Sequence, residues 1–130
     1  MTGTAEQTSS PTAEQHSMLR GVLIADKEAT ESLIARLIDD LDSFTDARKD
    51  GATDDEHDPE GPTLAFEQSQ SSALLRQAST RLHEIEDALA RLDLGTYGIC
   101  ARCHTPISYG RLGARPYAQH CISCAEKVGS

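Results

Sequence analysis

Residues 100–124 read CARCHTPISYGRLGARPYAQHCISC, and the spacing of the cysteines in this stretch decides how the rest of the chain is read. Cys100 and Cys103 form one CxxC pair and Cys121 and Cys124 a second, with 17 residues between them. A CxxC turn brings two sulfurs to one metal ion, and two such turns at this separation supply the four tetrahedral corners that zinc prefers. All four cysteines of the chain are used. The competing readings are four ordinary reduced thiols or two disulfides. Four filled positions leave none for water, so the expected Zn2+ is single and structural, not catalytic. A tetrathiolate zinc carries a formal charge of −2, which Arg102, Arg111 and Arg115 lie close enough in sequence to offset. His104 and His120 adjoin ligands and read as surface or supporting residues.

Upstream of the finger lies a regular apolar pattern. Leu64, Gln68, Ser71, Leu75, Ala78, Leu82, Ile85, Leu89 and Leu92 follow at alternating steps of four and three, a heptad seam that is dry toward its C-terminal half. Thr63 is placed to cap this helix, with Glu67 near its positive end, and Gly95 stands where a C′ glycine belongs. Before it, residues 50–62 (DGATDDEHDPEGP) hold two Gly, two Pro and six acids, the composition of a turn or loop. His57 in that loop reads as solvated.

A first helix is expected from Ser17, as N-cap, to about Lys49. Its stripe runs through Leu19, Val22, Leu23, Ala29, Leu33, Leu37, Leu41 and Phe44 and is widened by Ile34 and Ile38. Two helices of about 30 residues, each roughly 45 Å long at 1.5 Å per residue, joined by a short polar loop, predict an antiparallel hairpin. A helical bundle or a helix-mediated dimer is the alternative. The expected organisation is a disordered tail over 1–16, a coiled-coil hairpin over 17–94 with its acidic tip loop at about 50–62, a C4 zinc finger over 95–127 and a tail over 128–130. The fold class is mainly α.

The bulk composition agrees. Of 130 residues 38% are hydrophobic and 4% aromatic, with no Trp, so a large compact core is not available and a metal takes up part of its work. The net charge of −9 is unevenly spread: residues 39–60 hold ten acids against two bases, whereas 100–124 hold three arginines and no acid. Such an acidic chain is repelled by nucleic acid over most of its surface, which argues against sequence-specific DNA binding. Residues 1–15 (MTGTAEQTSSPTAEQ) lack the basic and apolar regions of a secretory signal, and no apolar run approaches a membrane span. A cytoplasmic protein is expected, where paired CxxC motifs stay reduced. No nucleophile–base arrangement or phosphate-binding glycine loop is present, so an enzyme is not expected.

The stretch from Gly98 through Cys124, with GICARC, RLGARP and CISC, resembles the DksA/TraR family of bacterial zinc-finger proteins. The preceding TRLHEIEDALARLDLGTYG resembles that family's hairpin helix. The resemblance covers roughly residues 63–127. It implies a transcription regulator that binds RNA polymerase and inserts its hairpin into the secondary channel, with an acidic tip near the catalytic magnesium. On that basis Asp54, Asp55, Asp58 and Glu60 face the polymerase. The chain departs from the family at the tip motif, Asp-x-x-Asp-x-Ala. Counting back from Cys100 puts His57, Glu60 and Pro62 on its positions, and a shifted match puts Asp55 and Asp58 on the acids but Glu60 on the Ala. Arg115 matches a family position tied to the alarmone ppGpp. Glu84 and Ala125 stand where responsive members carry basic residues, so weak or no ppGpp synergy is expected. A zinc-stabilised interaction module with a non-polymerase partner is the alternative function.

Overall fold

The structure, a computed structural model, describes residues 11–51 and 61–128. Four helices account for most of these: α1 (Ala13–Gly51), α2 (Gly61–Leu94), α3 (Tyr109–Ala114) and α4 (Ile122–Val128). α1 and α2 form the expected hairpin. Among the described residues there is no strand, only an antiparallel bridge between Ile99 and Pro106. No helix among them is long and apolar enough to cross a membrane.

α1 begins earlier than its apolar pattern suggests. The Thr12 side-chain oxygen accepts from the Gln15 N–H at 3.2 Å, and Gln15 Oε1 accepts from the Thr12 N–H at 2.9 Å. This reciprocal capping box satisfies two donors that a helix start leaves open, so residues 13–16 are helical and Ser17 is an exposed position inside the helix. α2 likewise starts two residues before Thr63, with Pro62 in its first turn, where the missing N–H costs nothing. Its C-terminus follows expectation. Gly95 adopts φ +80, the Thr96 N–H reaches the Arg91 carbonyl at 2.9 Å, and the Gly95 N–H reaches that of Leu92 at 3.4 Å. That pair of bonds is a Schellman cap. α4 is short, at seven residues.

The described chain divides into two compact units. One comprises Glu28–Leu82, which takes in the C-terminal part of α1 and the N-terminal part of α2. In it Thr30, Leu37 and Ala78 are buried, while Ile34, Leu41, Phe44, Leu64, Gln68, Ser71, Leu75 and Leu82 are half-buried. Each α2 residue of the heptad seam is thus at least partly covered. On α1 the covered line runs through Thr30 and Ile34, leaving Ala29 and Leu33 exposed; Val22 and Ile38 are exposed as well. An α-helix packed on one partner presents positions at steps of three and four, and 23, 26, 30, 34 and 37 satisfy that rule better than a path through 29 and 33.

The other unit joins the chain up to Lys27 with the chain from His83 onward. Its core gathers Leu19 and Leu23 of α1, Ile85 and Ala88 of α2, and Tyr97, Cys100, Ile107, Leu112, Ala118 and Cys124 of the finger. Leu23, Ile85, Ile107 and Leu112 are fully buried. The ion pair between Arg20 and Asp93, 2.9 Å apart but largely exposed on both sides, adds little. The expected tip residues Asp54, Asp55, Asp58 and Glu60, with His57, lie outside the described residues, as do residues 1–10 of the expected tail.

Candidate metal centre

The finger is built from two short turns, one before α3 and one at the start of α4. In the first, the Cys100 N–H donates to the Thr105 carbonyl at 2.8 Å, the His104 N–H to the Cys100 carbonyl at 2.9 Å, and the Ile107 N–H to the Gly98 carbonyl at 2.7 Å. Closing so tight a loop forces His104 to φ +62, a left-handed conformation that is uncommon outside glycine. The second turn passes directly into α4, so Cys121 precedes the helix and Cys124 sits within it, buried on the core. The Ala101 N–H donates to the Gln119 carbonyl at 2.8 Å and draws the two turns together.

All four sulfurs lie within 4.8 Å of one another, and Cys103 Sγ and Cys121 Sγ are 3.8 Å apart. Zinc–thiolate bonds of about 2.3 Å directed at tetrahedral corners place sulfurs about 3.8 Å from each other. The donor set therefore fits a tetrathiolate ion, and the four cysteines are positioned to bind one structural zinc. Among the described residues no other group of three or more His, Cys, Asp or Glu side chains is so arranged.

Electrostatics give the same answer. Burial works to raise the Cys100 thiol, but hydrogen bonds from the backbone of Cys103, Cys121 and Arg102 bring it down to about 5. Cys103 is lowered chiefly by the Thr105 hydroxyl. Cys124 is pushed the other way, to about 12, by burial, by hydrogen bonds with the other three sulfurs and by the charge on Cys100. Four thiolates at this spacing cannot all ionise in the absence of a cation, and a divalent metal is what lets them do so.

The RLGARP segment, Arg111 to Pro116, acts as the finger's frame. Ser108 caps α3 by accepting from the Arg111 N–H at 3.3 Å. Leu112 is fully buried. Arg111 Nε donates to the His120 carbonyl at 2.6 Å, tying α3 to the residue before Cys121. The buried Tyr97 hydroxyl donates to the Pro116 carbonyl at 2.7 Å, and burial raises its pKa to about 12 against the opposing pull of Arg91. Of the three arginines expected to offset the thiolates, Arg102 and Arg115 are exposed, and Arg111 is half-buried and committed through its Nε. His104 is exposed and His120 half-buried.

Two residues of this site escape a reading of the sequence. Arg91, in the last turn of α2, lies over the Tyr97 ring at 6.0 Å. Its three guanidinium nitrogens are buried without a hydrogen-bond partner, and it shares a cavity of about 340 Å³ with Cys100, Ala101 and His104. Its place near the negative end of a helix dipole was the available signal. Thr105 Oγ1 is 2.8 Å from Cys103 Sγ, a contact that nothing in CxxC spacing announces.

Comparison with known proteins agrees with this geometry. Residues 95–128 match the prokaryotic dksA/traR C4-type zinc finger. An uncharacterized protein of Aquifex aeolicus (strain VF5) is 49% identical over 47 residues, which are 36% of this chain and 32% of that protein. The chain thus spans about a third of the length of the curated relative it matches. The solved structure of transcription factor DksA2 from Pseudomonas aeruginosa aligns over 90% of this chain and 84% of its own, with a TM-score of 0.72 at 23% identity, a likeness of fold. The segment 95–128 is thus similar to the prokaryotic dksA/traR C4-type zinc finger and has a zinc-binding geometry of its own, and the chain as a whole shares the fold of the solved DksA2 structure.

Proposed function

We propose that this chain is a DksA-like transcription regulator that acts on RNA polymerase through the secondary channel, without catalysing a reaction itself. The observation that carries the proposal is the pairing of hairpin and finger over 90% of the chain in the fold of a transcription factor. The ten acids of residues 39–60, centred on the link between α1 and α2, support a working end at the turn of the hairpin, with Asp54, Asp55, Asp58 and Glu60 facing the polymerase. The finger keeps the helix ends packed together, with zinc taking the place of a larger core. Arg102, Arg111 and Arg115 serve that frame and are too few on an acidic chain for sequence-specific DNA binding.

The ppGpp response is weak or absent in this proposal. Arg111 and Arg115 line a cavity of about 150 Å³ together with Glu84, Tyr117, Ala118, Gln119 and His120. A carboxylate in that wall opposes the two guanidinium groups, so a polyphosphate gains little on entering. The test is transcription in vitro with purified polymerase, with and without ppGpp, using zinc-loaded wild type and a variant carrying Asp54→Asn, Asp55→Asn, Asp58→Asn and Glu60→Gln. Wild type should alter transcription and compete with other secondary-channel factors, and the variant should bind but lose the effect. Equal activity of the two refutes the tip assignment. Failure of the wild type to bind polymerase refutes the proposal and leaves an interaction module for another partner.

A further inference from the structure

The four cysteines are not held alike, and the difference points to how the metal centre opens. Cys100 and Cys124 are buried and belong to the core cluster, and Cys121 is half-buried against it. Cys103 alone of the four is exposed. It is carried by the tight turn that ends in the left-handed His104, with no helix beneath it. What it has instead is the Thr105 hydroxyl, 2.8 Å from its sulfur, while its own N–H lies 3.5 Å from Cys100 Sγ.

We propose that Cys103 is the ligand through which zinc is exchanged, and that Thr105 is the positioning residue that slows this exchange. An O–H donated to a thiolate removes electron density from the sulfur and fixes its direction. The sulfur is then less nucleophilic toward an incoming electrophile and less free to swing away from the metal. Releasing Cys124 requires part of α4 to move out of the core, and releasing Cys100 breaks the packing around Tyr97 and Ile107. Releasing Cys103 requires only the turn to open. When an alkylating agent such as iodoacetamide reaches the centre, the Cys103 sulfur pair attacks the methylene carbon. A C–S bond forms, the C–I bond breaks and iodide departs. The resulting thioether would be a poor ligand for zinc, and a chelator in solution would report the ion's release.

The experiment uses the full zinc-loaded chain with limiting iodoacetamide, mass-spectrometric mapping of the first cysteine modified, and a colorimetric chelator to time zinc release. Cys103 should be modified first in the wild type. Thr105→Val should speed both Cys103 modification and zinc release by about tenfold or more, the worth of a hydrogen bond to a charged group, while Thr105→Ser stays near wild type. First modification at any other cysteine overturns the assignment of Cys103. Equal rates in Thr105→Val and Thr105→Ser, each checked for one zinc per chain, overturn the role of Thr105. Should Thr105→Val fail to hold zinc, Thr105→Ala against Thr105→Ser decides the same question.

Discussion

Replacing Tyr97 by Phe deletes one oxygen atom at the join between α2 and the finger, and its effect should depend on pH in a defined way. The hydroxyl is buried and donates to the Pro116 carbonyl at 2.7 Å. Removing it leaves that carbonyl unsatisfied, a cost of about 1–3 kcal/mol near pH 8. Burial raises the phenol from 10.0 to about 12, so the folded protein holds this proton more tightly than the unfolded chain does. The resulting stability is fully present below pH 10 and is lost as pH rises through about 12. Two pKa units correspond to about 2–3 kcal/mol. Guanidinium unfolding of zinc-loaded wild type and Tyr97→Phe, followed by circular dichroism between pH 8 and 12, should show a wild-type advantage that shrinks by that amount. A difference that stays constant across this range would refute the assignment of the alkaline loss to Tyr97.

Leu112→Ala, at a fully buried position in the finger's frame, should cost about 2–5 kcal/mol in the same unfolding assay. His104→Gly relieves a left-handed backbone on an exposed residue and should raise stability by up to about 1 kcal/mol, read as a higher denaturation midpoint at unchanged zinc content. Arg91→Met removes a buried cation that has no hydrogen-bond acceptor. Because the zinc-loaded centre carries a net negative charge, the substitution should weaken zinc affinity, by about tenfold for a loss of 1.4 kcal/mol, in competition with a chromophoric chelator, while leaving the metal-free protein no less stable.

The finger and the second helix were legible because their signals are local and chemical. Two CxxC pairs at a set spacing have few other uses, and the steps from Leu64 to Leu92 admit one helical face. Gly95 announced its own backbone conformation. The first helix was harder. The capping box at Thr12 and Gln15 lies in a Ser/Thr/Gln-rich segment whose composition reads as disorder, so a specific pair of side chains was hidden by its surroundings. The path through Thr30 was missed for the opposite reason: Ala29 and Leu33 are apolar and the buried Thr30 is not, so hydrophobicity ranked the wrong neighbours. Arg91 and Thr105 depend on which groups end up adjacent after folding, a property that spacing along the chain does not carry.

Leu19 and Leu23 share one core with residues that follow them by more than sixty positions, the last being Cys124. During synthesis at about 5–20 residues per second, these leucines are made early and their partners late. The segment that carries Leu19 and Leu23 must therefore stay open until Cys124 has left the ribosome, and metal capture comes at the same late moment. Closure over so long a span is slow compared with local helix formation. A shortage of zinc in the cell would on this account be felt first by newly made chains, with their early leucines left exposed to chaperones and proteases.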